Sequence, residues 1–170
     1  MDKRIKRLEN NEYALELAYE RLKKSLNSNQ EKDIYSAIGE LLLWVLTTDE
    51  WHMEHNNADY KNRRNNNEDG QILLGLRYAY NLMKHNMEFF KVHEANEGGI
   101  EFPISFPLEI PAPYAEWKVL TEDMKKKGKS IQIDNYSKYI ESKNVISTFD
   151  SAINFFEKEN EKVKKMYNNN

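Results

Sequence analysis

Apolar residues recur along most of this chain three or four positions apart, with charged residues between them, which is the pattern of helices buried along one face. Leu8, Leu15, Ala18, Leu22 and Leu26, joined by Tyr13 and Leu17, predict a first helix over residues 2–26. Asn27-Ser28-Asn29 breaks it. Ile34, Ile38, Leu41, Leu42, Val45 and Leu46 mark a second helix over 30–55. Residues 56–69 are polar, carry no apolar periodicity and read as a long loop.

A third, central helix is expected over 70–94. At about 100° per residue, Leu73, Leu76, Tyr80, Met83, Met87 and Phe90 fall on one face. Leu74, Tyr78, Leu82 and Phe89 fall on another, so this helix is buried on several sides. Gly75 and Ala79 form a strip of small residues along which a neighbouring backbone can come close. Arg77, Asn81, Lys84, His85 and Glu88 share the remaining sector, and Arg77, Asn81 and His85 stack along one line at a spacing of four.

Beyond Gly98-Gly99 the pattern changes. Residues 100–113 hold all four prolines, a density that excludes helix and central strand, so an extended arm is expected there. Ile100, Phe102, Ile104, Phe106, Leu108 and Ile110 alternate along it, and Trp117 anchors its end. A basic turn at 125–129, a short helix over 135–141 and a longer one over 145–165 complete the chain, the last carrying Phe149, Ile153, Phe156 and Val163. The fold expected is all-α: a single-domain bundle of four to five helices over 1–170 with a proline-rich extended arm. Its parts are three main helices in 1–94, the arm and basic turn in 95–130, and C-terminal helices in 131–166.

Composition narrows the chemistry. There is no cysteine, which excludes disulfides, thiolate zinc sites and cysteine nucleophiles. The net charge of -3 excludes a surface that coats nucleic acid generally, so contact with phosphates has to use a local patch. Such patches lie at residues 3–7, at Lys61 with Arg63 and Arg64, and at 125–129, where solvated charged faces are the plainer reading. The longest apolar run, 41–46, is too short to cross a bilayer, and the N-terminus lacks a signal-like core, so a cytoplasmic protein is expected. The 20 Asn, beside abundant Lys and Ile, point to an AT-rich genome of a bacterium or phage. Gly98-Gly99 lacks the strand and helix of a phosphate loop, and no cofactor is implied.

On the second helix Glu40, Trp44, Thr47, Thr48 and Trp51 lie to one side. A carboxylate there facing the Arg77–Asn81–His85 line would satisfy those groups and fix the imidazole tautomer. Such a set suits acid-base work on a phosphodiester, with His85 moving the proton and cations stabilising charge. It suits a structural polar network equally well.

The stretch Gly75-Leu76-Arg77-Tyr78-Ala79-Tyr80-Asn81-Leu82-Met83-Lys84-His85 resembles the signature helix of the HEPN superfamily, whose motif is an Arg, often followed by Asn, and a His a few residues later. Ala37-Ile38-Gly39-Glu40-Leu41 is similar to the earlier helix that offers that motif a polar residue. The resemblance covers about residues 30–94 together with the segment from Tyr136 to Phe156. It implies a helical bundle that dimerises through its motif helices, RNA as target, and a metal-independent ribonuclease of toxin–antitoxin or phage-defence systems, or a catalytically degenerate relative. Carried over, Asn81 and His85 match the motif's Asn and His, and Glu40 the upstream polar position. Tyr80 stands where the motif has Arg, and Arg77 lies one turn earlier.

Two other classes fit the residues. A metal-binding bundle could draw on Asp49, His52 and His55, with Glu54 adjacent and His85, His93 or Glu94 across from them. A non-enzymatic interaction protein could dimerise or hold a protein partner through the proline-rich arm and an aromatic surface of Trp44, Trp51, Tyr60, Tyr114 and Trp117.

Overall fold

The computed structural model describes residues 2–28, 30–94 and 112–168. Helix α1 (Lys3–Ser28) lies against α2 (Glu31–His55), followed by α3 (Asn57–Asn65) and α4 (Glu68–Lys84). Strands β1 (Phe90–His93) and β2 (Tyr114–Trp117) come next, then α5 (Glu122–Lys125), α6 (Ser130–Tyr139) and α7 (Val145–Asn168). The described chain is thus mostly helical, and none of its helices is long and apolar enough to cross a membrane.

α4 is the central element, packed by α2, α3, α6 and α7. Leu73, Leu76, Tyr78, Ala79 and Leu82 are fully enclosed, as the all-round apolar pattern requires. The small-residue strip works as expected at Gly75. A β-carbon there would stand 3.1 Å from the backbone N and Cα of Tyr136 and 2.6 Å from Ile140 Cδ1, so only glycine lets α6 lie this close.

The central helix is nevertheless shorter than its pattern, ending at Lys84 rather than near residue 94. Asn86 takes a left-handed conformation (φ 54°), its amide bonds back to Met83 O at 3.0 Å, and the Met87 amide bonds to Leu82 O at 3.0 Å. That pair of bonds closes a helix C-terminus around an asparagine, which tolerates positive φ better than most residues. The apolar run continues past the stop because Phe89 leads into a strand that Phe90 begins. β1 pairs antiparallel with β2, Phe90 opposite Trp117 and His93 opposite Tyr114. Trp117 does anchor this end: it is completely buried and its indole N–H donates to Thr148 Oγ1 at 3.0 Å. The expected arm at 100–113 lies outside the described residues except for Ala112 and Pro113.

The polar stretch expected as a loop at 56–69 is instead mostly the helix α3. Its inward side chains are Tyr60 and Arg64, one turn apart, and both are buried. An apolar-periodicity test misses such a helix because its buried face is a phenol and a guanidinium.

Candidate functional site

Arg77 and Asn81 project from α4 toward α2 and the start of α6. Asp49, on α2, is completely buried and gathers three donors. Tyr60 Oη donates to Asp49 Oδ1 at 2.7 Å, Arg64 Nη1 lies 3.0 Å from both carboxylate oxygens, and Arg77 Nη2 reaches Oδ2 at 3.2 Å. Arg77 Nη1 also reaches Glu50 Oε1 at 3.0 Å. Burial works against the Arg77 charge, but the bonds to Glu50 and Asp49 raise its pKa above the ordinary value, so it remains a cation. Burial and the facing Asp49 carboxylate push the Tyr60 phenol far up, which keeps it a proton donor.

The carboxylate that meets α4 therefore comes from α2, as the facing helices suggested, but it is Asp49 rather than Glu40. Glu40 turns to α1, where Arg21 Nη1 binds its two oxygens at 2.5 and 2.7 Å. Nine residues separate Glu40 from Asp49, about 14 Å along the helix axis, which is why the two serve different neighbours.

Between α2, α4 and the N-terminus of α6 lies a cleft of about 400 Å³. α4 contributes Arg77, Tyr80, Asn81 and Lys84; α2 contributes Thr47 and Glu50; Lys129 and Gln132 close the far side. Lys84 and Lys129 are exposed, and the Lys84 ammonium sits 5.8 Å above the Tyr80 ring. Asn81 Nδ2 makes a long contact of 3.4 Å to Gln132 Oε1. Lys129 occupies the N-cap of α6 and gives its first turn no side-chain acceptor. Among the described residues the cleft thus presents three cations against one lining carboxylate, Glu50, with the buried Asp49 behind Arg77.

His85 is not part of this lining. It is exposed at the C-cap of α4, and its ring has no hydrogen-bond partner among the described residues. His85 closes the last turn of α4, its amide bonded to Asn81 O at 3.1 Å, but its side chain is exposed beyond the residues that line the cleft.

The candidate metal ligands are dispersed, and no group of three or more His, Asp or Glu suited to a metal occurs among the described residues. His52 is completely buried and stacks on Tyr60 at 4.8 Å. Its Nε2 faces Asn160 Oδ1 at 2.6 Å and its Nδ1 faces Asn56 Nδ2 at 3.3 Å. Asn160 in turn donates to Glu12 at 2.8 Å. That chain assigns the Nε2–H tautomer, and burial lowers the His52 pKa, so the ring is a neutral core spacer. His55 packs edge-on against Trp51, and His93 stacks on Tyr114 at 4.5 Å beside Glu116.

Sequence reasoning missed Tyr60, Arg64 and Lys129 as members of one polar assembly. The signal available was a Tyr and an Arg four apart inside a segment otherwise too polar to pack. Compared with known proteins, the chain matches no family model, no curated protein and no solved structure.

Proposed function

We propose that the cleft between α2, α4 and α6 binds the phosphate backbone of RNA, and that this chain is a HEPN-like bundle which holds RNA without cleaving it. The observation that carries the reading is the convergence of Arg77, Lys84 and Lys129 with Asn81 and Tyr80 on one cleft. Exposed lysines bind phosphates by charge with little demand on geometry. Tyr80, partly exposed beneath Lys84, offers a face on which a base can stack. Asn81 supplies an amide whose bond to Gln132 is long enough to be exchanged for a ligand.

Two features favour holding over cutting. A general acid-base group has to come within hydrogen-bond reach of the proton it moves, and His85 stands outside the lining. Arg77, the one guanidinium among the described residues that line the cleft, is already bound to two carboxylates, Asp49 and Glu50, which reduces what it can give to a developing phosphorane. The same reading carries a homodimer, with Leu43, 46% exposed at the edge of the cleft, as an apolar side chain for the second copy to cover. Its biological setting would be bacterial or phage conflict.

Fluorescence anisotropy with a labelled single-stranded oligoribonucleotide, run beside a gel cleavage assay, tests this. The expected result is salt-sensitive binding that Lys84→Glu/Lys129→Glu abolishes, with an intact oligonucleotide and no effect of His85→Ala. Cleavage lost in His85→Ala would restore the ribonuclease reading, and absence of binding would refute both.

A further inference from the structure

A second groove lies between α1 and α7, on helices that do not form the cleft, and it has the opposite charge. The two helices touch sparingly along their length. They run antiparallel, because Glu12 on α1 meets Asn160 and Lys164 of α7 while Tyr19 donates to Asp150. Between these two cross-links the helices part over a groove of about 840 Å³. Its floor is built from Leu15 and Phe156, which the core already buries, and from Ile153 and Tyr19, which are partly exposed. Its walls carry Glu12, Glu16 and Glu20 on one side and Asp150 and Glu157 on the other.

The acids fall in two ranks. Glu12 is bound by Lys164, Glu20 by Lys23, and Asp150 accepts from Tyr19. Glu16 and Glu157 are exposed, and neither has a cation among the described residues. They stand on opposite walls, one from each helix. Seven residues of α1 separate the cross-links, a rise of about 10 Å, or two helical turns.

From this we infer that the α1–α7 groove docks a basic amphipathic helix of a protein partner. Apolar side chains on one face of such a helix would cover Ile153 and the Tyr19 ring, and Lys or Arg flanking them would reach Glu16 and Glu157. Charge complementarity selects the occupant: the walls repel an acidic helix and give a neutral one no ion pairs, while a free polycation such as spermine has no apolar face to lay on Ile153 and Tyr19. The inference stands apart from the RNA reading, which concerns a different face.

The test is fluorescence anisotropy of the whole protein with a labelled amphipathic peptide of about 15 residues built from Leu and Lys. Binding is expected, weakened roughly tenfold or more by Glu16→Lys/Glu157→Lys, where like charges then face each other. Glu122→Lys/Asp123→Lys, the same charge change on α5, should leave the affinity within about twofold, since it removes only long-range attraction. Two further peptides probe the unaltered protein: replacing Leu by Ser or Lys by Glu should abolish binding in either case. The inference is overturned by absence of binding, by equal weakening from both protein variants, by undiminished binding of the Ser peptide, or by spermine displacing the peptide.

Discussion

Asp49 and Arg64 meet through one guanidinium nitrogen 3.0 Å from both carboxylate oxygens, with side-chain exposures of 0% and 9%. Around this pair the polar interior is organised, because Tyr60 and Arg77 bond to the same carboxylate. A buried ion pair adds little over a well-packed apolar one, but removing one partner strands the other. Asp49→Ala should therefore lower stability in urea unfolding by about 3–5 kcal/mol. Glu50→Ala, which removes the 66% exposed partner of Arg77, should cost about 1 kcal/mol or less.

His52 gives the fold a pH dependence. Burial depresses its pKa below the ordinary 6.5, so between the two values the unfolded chain binds a proton that the native chain does not. The stabilisation is complete above pH 6.5 and declines as pH falls below it, by at most about 1.4 kcal/mol per pH unit, until the folded ring protonates. Urea midpoints measured across this range should fall for the wild type and flatten in His52→Gln. Glu159 acts in a lower window: burial alone would raise its carboxyl, but Arg63 and Lys162 hold it below the ordinary 4.5. Its contribution is present above pH 4.5 and is lost as pH drops through the folded value.

Asn11 faces the core of α1 at 1% exposure, and neither its amide N nor its O has a partner among the described residues. Its neighbours in the pattern are Leu8 and Leu15, so an apolar residue continues the stripe. Asn11→Leu should raise thermal stability by roughly 1–2 kcal/mol, the desolvation cost of an unpaired amide. A loss of stability would mean that the amide has a partner in solution.

Gly75→Ala sets two effects against each other. Alanine gains about 1 kcal/mol of helix preference, but the new methyl meets the α6 backbone. Backbone cannot swing aside as a side-chain end can, so the clash should win, with a net loss of about 1–3 kcal/mol in calorimetry.

The helices α1, α2, α4 and α7 were legible in the sequence because each buries a continuous apolar stripe. What escaped was placed by polar groups. α3 is held by Tyr60 and Arg64 on a carboxylate eleven to fifteen residues earlier, which no periodicity reveals. The stop at Asn86 was hidden by the apolar run of Phe89 and Phe90, which leads into a strand. In the site, Arg77 and Asn81 were found by their spacing on α4 and do share a cleft. Lys129 was not linked to them, since α6 reaches the cleft only through its close packing on Gly75. Glu40 and His85 failed to join them for local reasons, an arginine on α1 and a helix cap.

The most direct test of RNA binding in the cleft is a ¹H–¹⁵N correlation titration of the labelled protein with a single-stranded oligoribonucleotide. The account predicts graded shifts of the Arg77, Tyr80, Asn81, Lys84, Lys129 and Ser130 amides, absent in Lys84→Glu/Lys129→Glu, with Glu16 and Glu157 of the acidic groove unmoved. Shifts confined to other faces, or none at saturating oligonucleotide and low salt, would contradict it.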